Sequence, residues 1–200
     1  EYGPRHNPEF TMIEWYGVGT RYHEQMDFVQ ELVKQVAAAA SPKPAWLVDA
    51  LFPRLTYDQA FERALGTTVL DLPADDLADL ARRKVSKIPE GIEADDRDGW
   101  LNLLLAEVVE PTMGQAIPEF LFDYPSSQAA LATIRAGSPP VAERFELYVT
   151  GIEVCNGYQE LTDADELVER TSWQSGKRDR RGQRSLPVSS RLEQAQRAGL

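Results

Sequence analysis

Residues 143–161, ERFELYVTGIEVCNGYQEL, limit the possible fold more than any other stretch. Two runs rich in aromatic and β-branched residues flank Thr150-Gly151, the pattern of two antiparallel strands joined by a tight turn. A two-residue loop sets Tyr148 opposite Glu153 and puts Glu146 on the same face, diagonally across. Two carboxylates then lie close together on one sheet face. FLFDY (120–124) reads as a further strand, and so does EFTMIEWY (9–16). In the latter, period two groups Phe10, Met12, Glu14 and Tyr16 on one face, with Thr11, Ile13 and Trp15 on the other. A carboxylate among aromatics is odd for a core and natural for a binding surface.

The residues between these strands carry helical periodicity. Val29, Leu32, Val33 and Val36 predict a helix over 24–39, which SPKP (41–44) breaks. Thr56 with Gln59 forms a capping-box pattern that opens a short helix ending at Gly66. Further helices are predicted from Ala74 to Lys84 and from Arg97 to Glu110, and Thr162 is placed to cap one near 163–171. The expectation is an α+β fold: an antiparallel sheet interrupted by a mostly helical insertion at about 20–115, within one domain spanning 1–200.

The charge is uneven. Residues 1–169 carry a net −17 and residues 170–200 a net +6, within a total of −11. An acidic body is poorly suited to general nucleic-acid binding, which relies on positive charge against phosphates. Acidic pockets favour cationic small molecules. The basic stretch SGKRDRRGQR (175–184) reads as a solvated loop, with an acidic partner as the alternative. No apolar run is long enough to span a membrane, and the lone Cys155 forms no internal disulfide, which suits a cytoplasmic setting. No histidine neighbours Cys155, so it reads as a small buried residue rather than a nucleophile.

Glu14, Glu146, Glu153 and Glu160 all fall in predicted strands, where glutamate is disfavoured. Two readings stay open: exposure on a solvated face, or a cation site. Paired carboxylates at hairpin distance can hold Mg²⁺ beside phosphates, and others can receive an ammonium group. ATP with Mg²⁺ and an amine-bearing substrate would satisfy both. His6 and Asn7 precede the first strand in a polar loop, near enough to Phe10 for a phosphate contact, although a loop histidine is commonly incidental. Phe10 offers a ring for adenine stacking, or simply a core side chain.

At these residues the sequence resembles a known family. RHNPEFTMIEWY (5–16) is similar to the latter part of motif 2 of class II aminoacyl-tRNA synthetases of the lysine type. ERFELYVTGIEVCNGYQELTDADE (143–166) resembles the Mg²⁺ and amino-acid segment of the same family, and FDYPSSQAALA (122–132) looks like the elongation factor P lysine ligases within it. The resemblance implies that His6 and Asn7 face the ATP phosphates, that Phe10 stacks on adenine, and that the Leu147 backbone touches the nucleotide. It implies Glu146 and Glu153 as Mg²⁺ and ATP ligands. Glu14, Tyr16, Glu153, Asn156, Tyr158 and Glu160 would form the pocket for lysine or β-lysine. Tyr158 stands where the family more commonly has phenylalanine.

The implied reaction activates the amino acid as an acyl-adenylate and passes it to a lysine side chain of elongation factor P. No enzyme nucleophile is required, in keeping with the missing Ser-His or Cys-His pairing. The chain opens without methionine, and motif 1, the motif 2 arginine and motif 3 are not among its residues. It therefore reads as the middle of a catalytic domain, inactive alone, from a parent expected to be a homodimer. Two alternatives are a piece of a lysyl-tRNA synthetase, with tRNA as acceptor and an anticodon-binding domain upstream, and a non-catalytic remnant that only binds a nucleotide or a partner, distinguished by whether the parent carries the family's two ATP-binding arginines.

Overall fold

A computed structural model describes residue 3 and residues 8–47, 51–180, 182–184 and 190–199. In chain order it contains α1 (Tyr22–Ala39), β1 (Arg54–Thr56), α2 (Tyr57–Leu65), α3 (Ala74–Lys84) and α4 (Arg97–Leu104). There follow β2 (Glu119–Pro125), β3 (Ile134–Arg135), β4 (Val141–Val149), β5 (Ile152–Tyr158), α5 (Ala164–Arg180) and α6 (Ser190–Ala198). Strand β4 pairs antiparallel with β2, with β5 and, at its start, with β3. The sheet departs from the antiparallel expectation only at β1, which runs parallel to β2.

Alternation along the strands fills both faces. Leu121, Tyr124, Ala142 and Tyr148 meet Tyr57, Phe61, Leu77, Leu101 and Leu104 of α2–α4 in one core. Phe120, Phe145 and Leu147 meet Tyr22, Met26 and Val29 of α1 in a second. Helix α2 begins and ends as its sequence predicts. Gln59 N–H donates to Thr56 Oγ1 (3.2 Å), Thr56 N–H donates to Gln59 Oε1 (3.0 Å), and Gly66 terminates it at φ 82°. The helix predicted from Arg97 to Glu110 is α-helical only to Leu104. It then widens into a π-helical turn (Leu105–Val109) and tightens into a 3-10 turn (Glu110–Thr112) that contains Pro111, and Gly114 follows at φ 61°.

Three further sequence expectations are corrected. Residues 9–16 form no strand: a ladder needs a partner, and none of the described residues supplies one. The segment is held through Trp15 instead, whose Nε1 donates to Gln25 Oε1 (2.9 Å) and whose ring packs edge-on to Phe28. The basic stretch is not a loop throughout, since α5 continues to Arg180. Lysine and arginine are good helix formers and complement a helix C-terminus; Lys177 also lies 4.0 Å from the Trp173 ring and 3.9 Å from Asp98. Finally, Asp163 rather than Thr162 caps this helix, accepting from the N–H groups of Asp165 (2.9 Å) and Glu166 (3.1 Å). Asp163→Ala should therefore cost about 0.5–2 kcal/mol. Urea unfolding measures this, and an unchanged midpoint would return the cap to Thr162.

The tip of the β4–β5 hairpin is pinned from below. Thr150 and Gly151 N–H donate to the carbonyls of Gly114 (2.8 Å) and Met113 (2.9 Å). Gly114 N–H donates to buried Glu119, which also accepts two bonds from Arg63 of α2. The helical region and the hairpin are thereby joined at the strand ends that carry the glutamates.

Candidate active site on the hairpin face

The hairpin turn is the one its sequence predicts. Thr150 (φ 52°) and Gly151 (φ 73°) both occupy the left-handed region, which matches the twist of the flanking strands. Tyr148 faces Glu153 as expected, but Leu147 pairs with Cys155, so Val154 is an extra residue in a bulge. The slip moves Asn156 opposite Glu146 and Tyr158 opposite Arg144. One face of the hairpin thus carries Arg144, Glu146 and Tyr148 on β4 against Tyr158, Asn156 and Glu153 on β5. The bulge lets Glu153 and Asn156 share that face, and Asn156 Nδ2 donates to Glu153 Oε1 (3.0 Å).

The row grades from buried to open. Glu146 is only 7% exposed and Tyr148 is fully buried, while Glu153, Asn156 and Tyr158 lie on the open side. Both Glu146 oxygens are engaged: Arg144 Nη2 pairs with Oε1, and Tyr148 Oη donates to Oε2 at 2.5 Å. Burial of a carboxylate without such partners would be costly. Beneath Arg144 the Tyr124 ring lies 4.3 Å from the guanidinium carbon, a cation–π contact. Partial desolvation, and then the nearby Glu146 charge, hold the Glu153 carboxyl above the usual carboxylate range. The two glutamates therefore sense each other and would gain from a shared cation.

The remaining sequence-predicted residues differ in where they lie. Tyr158 is pushed up by burial and then by the charges of Glu160, Tyr16 and Glu14, so these three lie within electrostatic reach of Tyr158. Burial likewise raises Glu160. The backbone after Tyr158 holds this corner, since Gln159 Oε1 accepts from Tyr22 N–H (3.2 Å) and Gln159 N–H donates to Glu143. Phe10 is not gathered in: it is 72% exposed and makes no ring contact among the described residues. The Leu147 side chain lies on the opposite face in the second core, so only its backbone could meet a ligand on the glutamate side. His6 and Asn7 fall outside the described residues. Cys155 is half-buried against the second core, its thiol pushed up to about 11, as an inert thiol would be.

Sequence reasoning passed over the side chains that hold Glu146. Arg144, Glu146 and Tyr148 recur with period two on β4, so their common face was readable; the contribution of Tyr124 from β2 was not. Among the described residues no group of three His, Cys, Asp or Glu side chains could hold a metal by itself. Two carboxylates on adjacent strands form a donor set suited to Mg²⁺ that takes its other ligands from phosphate oxygens and water.

An α+β sheet presenting glutamates, an amide and a phenol on one hairpin is in keeping with a class II synthetase-type fold, and a family model for class II tRNA synthetases (D, K and N) matches residues 1–184. The chain belongs to that family. It is 39% identical over 201 residues to the elongation factor P (R)-beta-lysine ligases of Vibrio vulnificus (strain YJ016) and Yersinia enterocolitica serotype O:8, and 38% identical over 200 residues to that of Photobacterium profundum. Each match covers all of this chain and 58% of the relative's length. Among the described residues no helix is long and apolar enough to cross a membrane.

Proposed function

We propose that the protein carrying this chain is an ATP-dependent ligase that activates lysine or β-lysine and transfers it to a lysine side chain of elongation factor P in the cytoplasm. One observation carries the reading: the hairpin face sets Glu146, Glu153, Asn156 and Tyr158 in a single row, in a chain that matches enzymes of that name along its whole length. In the first step the substrate carboxylate attacks the α-phosphate of ATP and pyrophosphate leaves. In the second, the ε-amine of the acceptor lysine attacks the acyl carbon and AMP leaves. Neither step needs a nucleophile from the protein, whose contribution is positioning and electrostatics.

Glu146 and Glu153 would hold Mg²⁺ together with ATP; when bound, the ion neutralises charge on the phosphates. Glu14 and Glu160 receive the ammonium groups of the substrate beside Tyr16, Asn156 and Tyr158. Phe10 and the Leu147 backbone meet the nucleotide, and His6 and Asn7 its phosphates. The full-length protein acts as a homodimer. Incubating it with ATP, (R)-β-lysine or lysine, and elongation factor P should add one lysyl unit to the factor by intact-mass measurement. Charging of tRNA with no adduct on the factor would favour a lysyl-tRNA synthetase instead.

The substrate pocket has its own test. Glu14→Gln should raise the KM for the amino acid far more than that for ATP. Loss of a charge-assisted contact costs about 1.5–3 kcal/mol, roughly tenfold to a hundredfold. Equal effects on the two substrates in steady-state kinetics would make Glu14 structural.

A further inference from the structure

We propose that Tyr148 is a positioning residue of the nucleotide–metal site: its hydroxyl orients the Glu146 carboxylate, leaving one face of that group free for the cation carried in with the nucleotide. The inference rests on the assignment of Glu146 and Glu153 above and names a residue outside it. Tyr148 Oη donates to Glu146 Oε2 at 2.5 Å and lies 3.3 Å from Glu110 Oε1, in the 3-10 turn that closes the helical region. A phenol has one proton to donate, and the shorter distance gives it to Glu146.

Geometry makes the contact a constraint rather than an incidental bond. The Tyr148 ring is fully buried in the first core, opposite Glu119 on β2 and Glu153 on β5. Two residues further on, the chain is fixed by the Thr150 and Gly151 bonds to Gly114 and Met113. The hydroxyl therefore has little freedom, whereas a glutamate's terminal torsion is intrinsically broad. With Arg144 on Oε1 and Tyr148 on Oε2, both oxygens are held and each keeps a second lone pair. Groups that orient a metal-binding carboxylate in this way commonly change metal affinity by about 10–100-fold when removed.

The test uses the full-length protein, with Mn²⁺ as the probe and α,β-methylene ATP as the nucleotide. Bound Mn²⁺ is read by electron paramagnetic resonance, and thermal melting is followed in parallel. Tyr148→Phe keeps the ring and removes only the hydroxyl. It should weaken Mn²⁺ binding by about tenfold or more, with a cooperative melt retained. Glu146→Gln is run alongside. If Glu146→Gln leaves Mn²⁺ binding unchanged, the metal assignment falls and this proposal with it. If Glu146→Gln weakens binding and Tyr148→Phe does not, the positioning role alone is overturned. A Tyr148→Phe protein without a cooperative melt would assign the hydroxyl to stability and also overturn it.

Discussion

Glu153→Gln in the full-length protein is expected to abolish ATP–pyrophosphate exchange while leaving the protein folded. The amide keeps the size of the side chain and can still accept from Asn156, so the hairpin has no reason to rearrange. What disappears is one of two negative charges that lie diagonally across the two strands on one face of the hairpin. Removal of a single preorganised electrostatic group costs on the order of a hundredfold to a thousandfold in rate, and here the same charge would also hold the metal. Stability should move in the opposite sense. The Glu153 carboxyl is held above its unfolded value, by burial first and by Glu146 second, so its ionised form is a penalty on the folded state above that raised pKa. The glutamine variant should melt no lower than the parent at neutral pH. The difference should shrink as the pH falls through the carboxylate range and the parent's carboxyl takes up its proton. Near wild-type exchange would remove Glu153 from the site.

Gly114→Ala is expected to cause the largest loss of stability of any single methyl addition near the site. Gly114 has φ +61°, a conformation that L side chains rarely adopt, and a Cβ there would stand 2.2 Å from the Tyr148 carbonyl oxygen. The obstacle is backbone in a central strand, which cannot turn aside as a side chain could. Left-handed strain contributes about 1–2 kcal/mol and forced overpacking about 1–3 kcal/mol, so a loss of about 2–5 kcal/mol is expected in urea unfolding. The site should suffer as well, because Gly114 accepts from Thr150 at the hairpin tip and donates to Glu119. An alanine variant as stable as its parent would mean that the 113–114 segment can leave the hairpin without consequence.

Much of this architecture is legible one segment at a time. The Thr150-Gly151 turn, the pairing of Tyr148 with Glu153, the reciprocal cap between Thr56 and Gln59, and the Ala74–Lys84 helix all depend on residues within a few positions of each other. Local chemistry decides such features before any tertiary contact forms. The glutamates of the hairpin were legible for the same reason, since charged residues in strand-like runs stand out against the surrounding aromatics.

Features that depend on distant partners were not legible. The 9–16 run has strand-like composition, yet composition supplies no ladder partner, and Trp15 packs on α1 instead. Alternation alone cannot show that Val154 bulges, and that single extra residue moves Asn156 opposite Glu146 and turns Glu153 and Asn156 to one face. The lengthening of α5 reflects contacts between Lys177 and both Asp98 and Trp173, the first of them far away in the chain. The hold on Glu146 joins neighbours on β4 with Tyr124 on β2, whose ring lies against Arg144. Side-chain type and short-range periodicity thus singled out the candidate carboxylates. Their orientation depends on which buried donors the folded chain brings to each oxygen, because a carboxylate can accept from any direction until packing leaves it only one.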